Sequence, residues 1–179
     1  MKHILTTIIL FTFISVCSAQ FKSFGVIIGG GYTAIDVQKV VDQNTLSDWN
    51  KYGLVFKGFT EYQLKKGNIL GLEIGRNRLY YWEYKAPGYS WYNWRTEWTT
   101  NAVAYMSTYF GERFYLQAGA GIHFFYTGTV FGLLAAAGTT FEITNNFSIP
   151  ITFRIEPVFG SATPIAINLA TGVKFSLIK

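Results

Sequence analysis

Apolar side chains recur at every second position in segment after segment of this chain, a period that belongs to strands and not to helices. From Ile149 to Glu156 the odd positions are Ile149, Ile151, Phe153 and Ile155, and the even ones are Pro150, Thr152, Arg154 and Glu156. The last segment repeats the split, with Ile165, Ile167, Leu169, Val173, Phe175 and Leu177 against Ala166, Asn168, Ala170, Gly172, Lys174 and Ser176. Successive side chains of a strand point to opposite faces, so each segment carries one oily face and one polar face.

Eight such segments fit the chain, at 21–35, 53–65, 69–84, 97–110, 114–126, 130–143, 147–159 and 165–178. Their connections alternate in size: a long one at 36–52, Lys66-Gly67-Asn68, a long one near 85–96, then Gly111-Glu112-Arg113, Thr127-Gly128-Thr129, Thr144-Asn145-Asn146 and Ser161 to Pro164. The second, fourth and sixth are all tight, as in an up-and-down transmembrane barrel with periplasmic termini. The reading is therefore all-β: an eight-stranded antiparallel barrel. Residues paired across a hairpin share a face. Three-residue turns then set Phe110 opposite Phe114, Ile143 opposite Phe147, and Glu61 opposite Glu73.

A soluble barrel would put the oily faces inward, a membrane barrel outward. Charged residues are 14 % of the chain, against about 25 % in a typical soluble domain, which favours a surface that does not face water. On the membrane reading three cations, Lys57, Arg154 and Lys174, and four carboxylates, Glu61, Glu73, Glu142 and Glu156, are enclosed and must pair. Tyr105, Tyr109, Tyr115, Gln117 and His123 are expected to fill the gaps between them, with Gly25, Gly29, Gly31, Gly119 and Gly121 leaving room for long side chains. Eight strands enclose a space just wide enough for side chains, so a plugged interior is expected and a free pore is not. Tyr62, Phe110, Phe114, Phe141 and Phe147 read as an interfacial aromatic girdle.

The first residues suggest export. Met1-Lys2-His3, the apolar run Ile4 to Val16 and Cys17-Ser18-Ala19 match a signal peptide cleaved after Ala19. The run is too short for a membrane helix of about 20 residues. Residues 1–19 are thus expected to be removed and 20–179 to form one barrel domain without cysteine, and so without a disulfide or a cysteine metal site. The scattered lysines give no sign of nucleic-acid binding.

The glycine-rich strand Phe24-Gly25-Val26-Ile27-Ile28-Gly29-Gly30-Gly31-Tyr32, the strand Phe114-Tyr115-Leu116-Gln117-Ala118-Gly119-Ala120-Gly121 and the closing Gly172-Val173-Lys174-Phe175-Ser176-Leu177 carry a resemblance. With them the chain resembles the small OmpA/OmpX-like outer-membrane β-barrel proteins of Gram-negative bacteria, and the broader outer membrane protein beta-barrel domain family, over essentially all of 20–179. The resemblance implies an integral outer-membrane protein in contact with lipid and lipopolysaccharide, inserted by the barrel-assembly machinery, with no cofactor. Many such barrels end in an aromatic residue; this chain ends Leu177-Ile178-Lys179.

For chemistry, the alternative is a lipid-modifying enzyme resembling the outer-membrane deacylases or acyltransferases. It would have to use His123, the one histidine after residue 19, with Ser107 or Glu156 brought near it. An enclosed structural histidine is the simpler reading, so no catalytic residue is assigned; a narrow channel ranks third. Gly29-Gly30-Gly31 lacks the strand-to-helix setting of a phosphate loop. For binding, the second long connection stands out. Tyr89, Trp91, Tyr92, Trp94 and Arg95 have the amphipathic aromatic and arginine character of interaction anchors, suited to a surface glycan or protein, or else to an extended girdle.

Overall fold

The computed structural model describes residues 20–34, 52–64, 68–85, 91–126, 128–159 and 164–177, and within the third and fourth of these the backbone alone over 80–96. The proposed leader, 1–19, and the first long connection up to residue 51 lie outside the described residues, whereas Tyr52 belongs to a strand. Eight strands form: β1 (Gln20–Ala34), β2 (Tyr52–Gln63), β3 (Ile69–Lys85), β4 (Trp91–Phe110), β5 (Phe114–Phe125), β6 (Gly128–Thr144), β7 (Phe147–Phe159) and β8 (Ile165–Ser176). Each pairs antiparallel with the next, and β8 closes on β1. Gln20 at the start of β1 and Ser176 at the end of β8 share one end of the barrel with the β2–β3, β4–β5 and β6–β7 turns.

The alternation decides which face is inside. Along β7, Ser148, Thr152, Arg154, Glu156 and Val158 are buried while Ile151, Phe153, Ile155 and Phe159 are exposed. The same split runs round the cylinder, with Ile28, Leu54, Phe56, Leu72, Ile74, Met106, Leu116, Ile122, Phe131, Leu133 and Leu169 all outward. In water this surface would cost about 25 cal/mol for every Å² left wet. The molecule is inverted, with ions inside and hydrocarbon outside. β4 sends Thr99, Asn101, Val103, Tyr105 and Ser107 inward.

Aromatic rings gather at the tight-turn rim: Phe21 with Tyr62 (5.4 Å between centroids), Phe24 with Phe175 (5.5 Å) and Phe147 with Phe175 (5.3 Å). Phe110, Phe114 and Phe141 are exposed close by. At the other end Tyr32 meets Tyr52 and Phe131 stacks on Phe159.

Register agrees with expectation at the β4–β5 turn, where Phe110 faces Phe114 and Gly111 takes a φ of 68°. It differs at two others. Glu61 lies opposite Gly71, and Glu73 opposite Phe59. The β2–β3 turn starts from the pair Gln63 and Ile69 and is closed by Leu64 N donating to Asn68 O at 2.8 Å. That bond encloses 65–67, so the turn is centred one residue earlier than expected, and the resulting two-residue slip keeps every face unchanged. At the β6–β7 turn Thr144, not Ile143, pairs with Phe147, and a bulge falls between Glu142 and Thr144. The extra residue offsets the short Asn145-Asn146 turn and leaves Ile143 exposed.

Inward glycines let the cylinder fill. A Cβ on Gly71 would fall within the Tyr105 ring, one on Gly25 would meet the Phe59 ring, and one on Gly119 would lie 2.7 Å from Tyr105 Cβ. Gly30 faces outward, and its nearest neighbour would be 3.8 Å away. Gly71→Ala is therefore expected to destabilise the barrel by about 1–3 kcal/mol through overpacking, whereas Gly30→Ala leaves it unchanged or slightly more stable. Urea unfolding of the two variants in lipid vesicles measures the difference.

Candidate functional site

Two features stand out from the regular barrel: an ionic network across its interior and a hairpin that outgrows its neighbours. The network begins with Lys57 on β2, which has no exposed surface. Its Nζ donates to Glu73 Oε1 at 2.8 Å and to both carboxylate oxygens of Glu156, at 3.0 and 2.8 Å. Arg154 completes the square, with Nη2 on Glu73 Oε1 at 2.5 Å and Nε on Glu156 Oε1 at 2.9 Å. Asn77 Nδ2 adds a bond to Glu156 Oε2 at 3.2 Å. Two cations meet two carboxylates, and each carboxylate accepts from both. In ring order β3 and β7 are diametrically opposite, so the Arg154–Glu73 pair spans the interior.

A second group lies nearer the tight-turn end. Glu61 Oε2 pairs with Lys174 Nζ at 2.5 Å and accepts from Ser23 Oγ at 2.7 Å, and Glu61 Oε1 accepts from Tyr105 OH at 3.4 Å. Lys174 also donates to Tyr109 OH at 3.0 Å, and Tyr115 shares a short bond with Thr152. Between the groups remains a cavity of about 20 Å³, lined by Glu61, Glu73, Tyr105 and Arg154 among others, which is about the room one water needs.

Six of the seven expected network residues thus meet inside. Glu142 does not, and that expectation is corrected: it is exposed, two positions beyond buried Thr140. It lines an open mouth of about 470 Å³ with Lys22, Glu112 and Ser176. Ser23 and Asn77 were missed, although both occupy inward positions, as polar residues on the same parity as Gly25 and Glu73.

His123 is buried on β5, and a Cβ on Gly132 would sit 2.6 Å from its Nε2. Of the partners considered for it, Ser107 Oγ accepts from Gln117 Nε2 at 3.1 Å and Glu156 is held in the ionic square. Neither is arranged with it as nucleophile and base.

The second long connection is mostly not a loop. β3 and β4 stay paired from Ile69 and Ser107 out to Lys85 and Trp91. β2 follows β3 only to Val55 opposite Asn77, and β5 follows β4 only to Phe124 opposite Thr100. The pairs Arg78–Trp98 and Leu79–Glu97 still lie beside Gly53 and Tyr126, and those from Tyr80 and Thr96 to Lys85 and Trp91 project as a two-stranded ribbon beyond the neighbouring described strands, for about 20 Å at about 3.4 Å per residue. The register places Arg78, Tyr80, Trp82 and Tyr84 on the same face as Trp98, Thr96, Trp94 and Tyr92. Of the proposed binding residues, Tyr89 lies outside the described residues. Trp91, Tyr92, Trp94 and Arg95 fall on β4, their side chains outside what is described. At the ribbon's base Glu97 Oε1 accepts from Tyr126 N at 2.5 Å, and the Arg76 guanidinium lies 5.9 Å from the Trp98 ring.

No protein-family model matches the chain, and no curated protein matches it. Solved structures do. Neisserial surface protein A aligns with a TM-score of 0.54 at 14 % identity, over 89 % of this chain and 99 % of that one. A de novo designed transmembrane β-barrel gives 0.47 at 13 % identity over 87 % and 95 %. Ail, the attachment invasion locus protein of Yersinia pestis, gives 0.47 at 12 % identity over 88 % and 100 %. The first of these likenesses is one of fold.

Arg154→Met leaves Glu73 and Glu156 sharing Lys57 alone, and loss of one member of such a buried network costs about 3–5 kcal/mol. Adding Glu73→Gln is expected to return part of that loss. Urea titrations of the single and double variants in vesicles measure the coupling.

Proposed function

We propose that this chain is an integral outer-membrane barrel of the OmpA/OmpX-like kind, plugged through its centre, that acts at the cell surface through the β3–β4 ribbon. The inversion of polarity carries the membrane part. Only closed barrels and helices satisfy their backbone groups in hydrocarbon, and this closed barrel has its apolar belt bounded by aromatic rings. The leader-like residues 1–19 support export, and the tight-turn end then faces the periplasm. Plugging is supported by the ionic square spanning β2, β3 and β7, because an ion entering there would have to displace four mutually paired charges.

The surface role rests on the ribbon. Barrel closure needs none of its six outer pairs, from Tyr80 and Thr96 to Lys85 and Trp91, and aromatic residues with polar tips, together with arginine, suit recognition of a glycan or protein. As an outer-membrane protein of this kind, the chain would meet lipopolysaccharide and be inserted by the assembly machinery. Among the described residues, Ser107 and Glu156 are engaged with Gln117 and the ionic square, so neither supports the lipid-modifying alternative at His123.

Purified barrel added to a planar bilayer is expected to give no discrete conductance steps; reproducible steps would remove the plugged reading. For the ribbon, Tyr81 to Arg95 are replaced by a two-residue Asn-Gly turn. Gel mobility before and after heating is expected to show an intact barrel. Binding of the parent to glycan and protein arrays is expected to fall at least tenfold, and retained binding, or none by the parent, would remove the ribbon as recognition element.

A further inference from the structure

Among the described residues, six buried side-chain polar atoms lack a hydrogen-bond partner, and five belong to one zone of the barrel interior. They are Asn77 Oδ1, Asn101 Oδ1 and Nδ2, His123 Nδ1 and Asn168 Nδ2. Asn77, Asn101, His123 and Asn168 are each 5 % exposed or less. Asn101 and His123 are direct cross-strand partners, which brings their Cβ atoms to about 4.5–5.5 Å. Asn77 is a diagonal neighbour of Asn101, whose own partner on β3 is Gly75. Asn168 faces them from the opposite wall, beside Arg154.

We propose that this zone is an enclosed water site, in which ordered water bridges Asn101 to His123 and reaches Asn77 and Asn168. The set of unpaired atoms selects the guest. Two amide oxygens require a donor and two amide nitrogens require an acceptor. A metal cation would satisfy only the oxygens and an anion only the N–H groups. Water, which both donates and accepts, serves all of them, and a buried polar atom left bare costs about 1–3 kcal/mol.

The zone is closed on both sides. Toward the ribbon end, Leu79, Val158 and Ala166 form an apolar cap with Phe125 and Val130 against them. Toward the turns lies the ionic square, tied to the zone by Asn77 Nδ2 on Glu156. Water held there exchanges only when the cap or the square opens, so it resides far longer than surface water. The inference depends on barrel closure alone, and neither lipid contact nor ribbon binding enters it.

The test uses the whole mature barrel, 15N-labelled and refolded in lipid nanodiscs, with water as the probe. Rotating-frame spectra separate dipolar contact with water from proton exchange by sign. The expected result is a dipolar cross-peak between water and the Asn101 side-chain amide, together with a lowered urea midpoint for Asn101→Leu, which strands His123 Nδ1. In a dry zone the cross-peak is missing and Asn101→Leu raises the midpoint by removing an unpaired amide. Absence of the cross-peak in the parent barrel overturns the proposal whichever way the variant moves, including a variant that does not fold.

Discussion

A charge taken out of water must find its compensation in the protein, and here that requirement organises the cylinder. Moving one ion into a protein interior costs several kcal/mol even after relaxation. Lys57, Arg154 and Lys174 are matched one for one by Glu61, Glu73 and Glu156, and all six are nearly fully buried. Apart from Arg154 and Glu156, both on β7, the partners come from different strands; Lys57 and Glu156 are 99 residues apart. The pairs that join different strands form only when the barrel has closed in the correct register. A one-residue slip of β7 would turn Arg154 and Glu156 toward the hydrocarbon, where a basic side chain at mid-depth costs about 2–4 kcal/mol. The network is thus a weak source of net stability and a strong selector of one arrangement.

The narrow bore sets how the remaining space fills. Large side chains lie over glycines on other strands: Phe59 over Gly25, Tyr105 over Gly71 and Gly119, Tyr115 over Gly138, and Lys57 over Gly75. The sequence made this half legible. Parity alone assigned Lys57, Glu61, Glu73, Arg154, Glu156 and Lys174 to one face, because a residue's face depends only on counting along its own strand. Partners were not legible, since they depend on the tilt and stagger of strands far apart in the chain. Glu61 and Glu73 looked like opposite neighbours across a hairpin, yet they serve different groups, with Lys174 and Lys57 respectively. Glu142 had the inward parity but lay too close to the rim for parity to mean burial.

The ribbon was misread for a related reason. Alternation in sequence appears where one face of a strand meets oil and the other does not. Beyond Leu79 and Glu97 the hairpin leaves its neighbouring described strands. Tyr81 and Trp91 then put aromatic residues on the face shared with Glu83, Lys85, Asn93, Arg95 and Glu97, and the period-two signal fades. Length was a second obstacle: β4 runs for 20 residues, against about 9–11 needed to cross a bilayer. A strand of that length has no membrane reason to continue, so the segment reads as a loop unless the pairing is seen.

That surplus length bears on what the ribbon does. A two-stranded hairpin standing alone in water is marginal, and this one is fastened at its base, by Glu97 to the Tyr126 backbone and by Arg76 over Trp98. Above those contacts the pairing continues, with Tyr80, Trp82, Tyr84, Tyr92 and Trp94 at register positions of one parity. Indole and phenol rings gain by lying at a boundary between apolar and wet surroundings. In the proposed membrane setting, such rings would favour the headgroup layer unless a ligand offered them a better surface. If the ribbon is the recognition element proposed, a ligand would compete with lipid for it, and binding would then be weaker in a bilayer than in detergent.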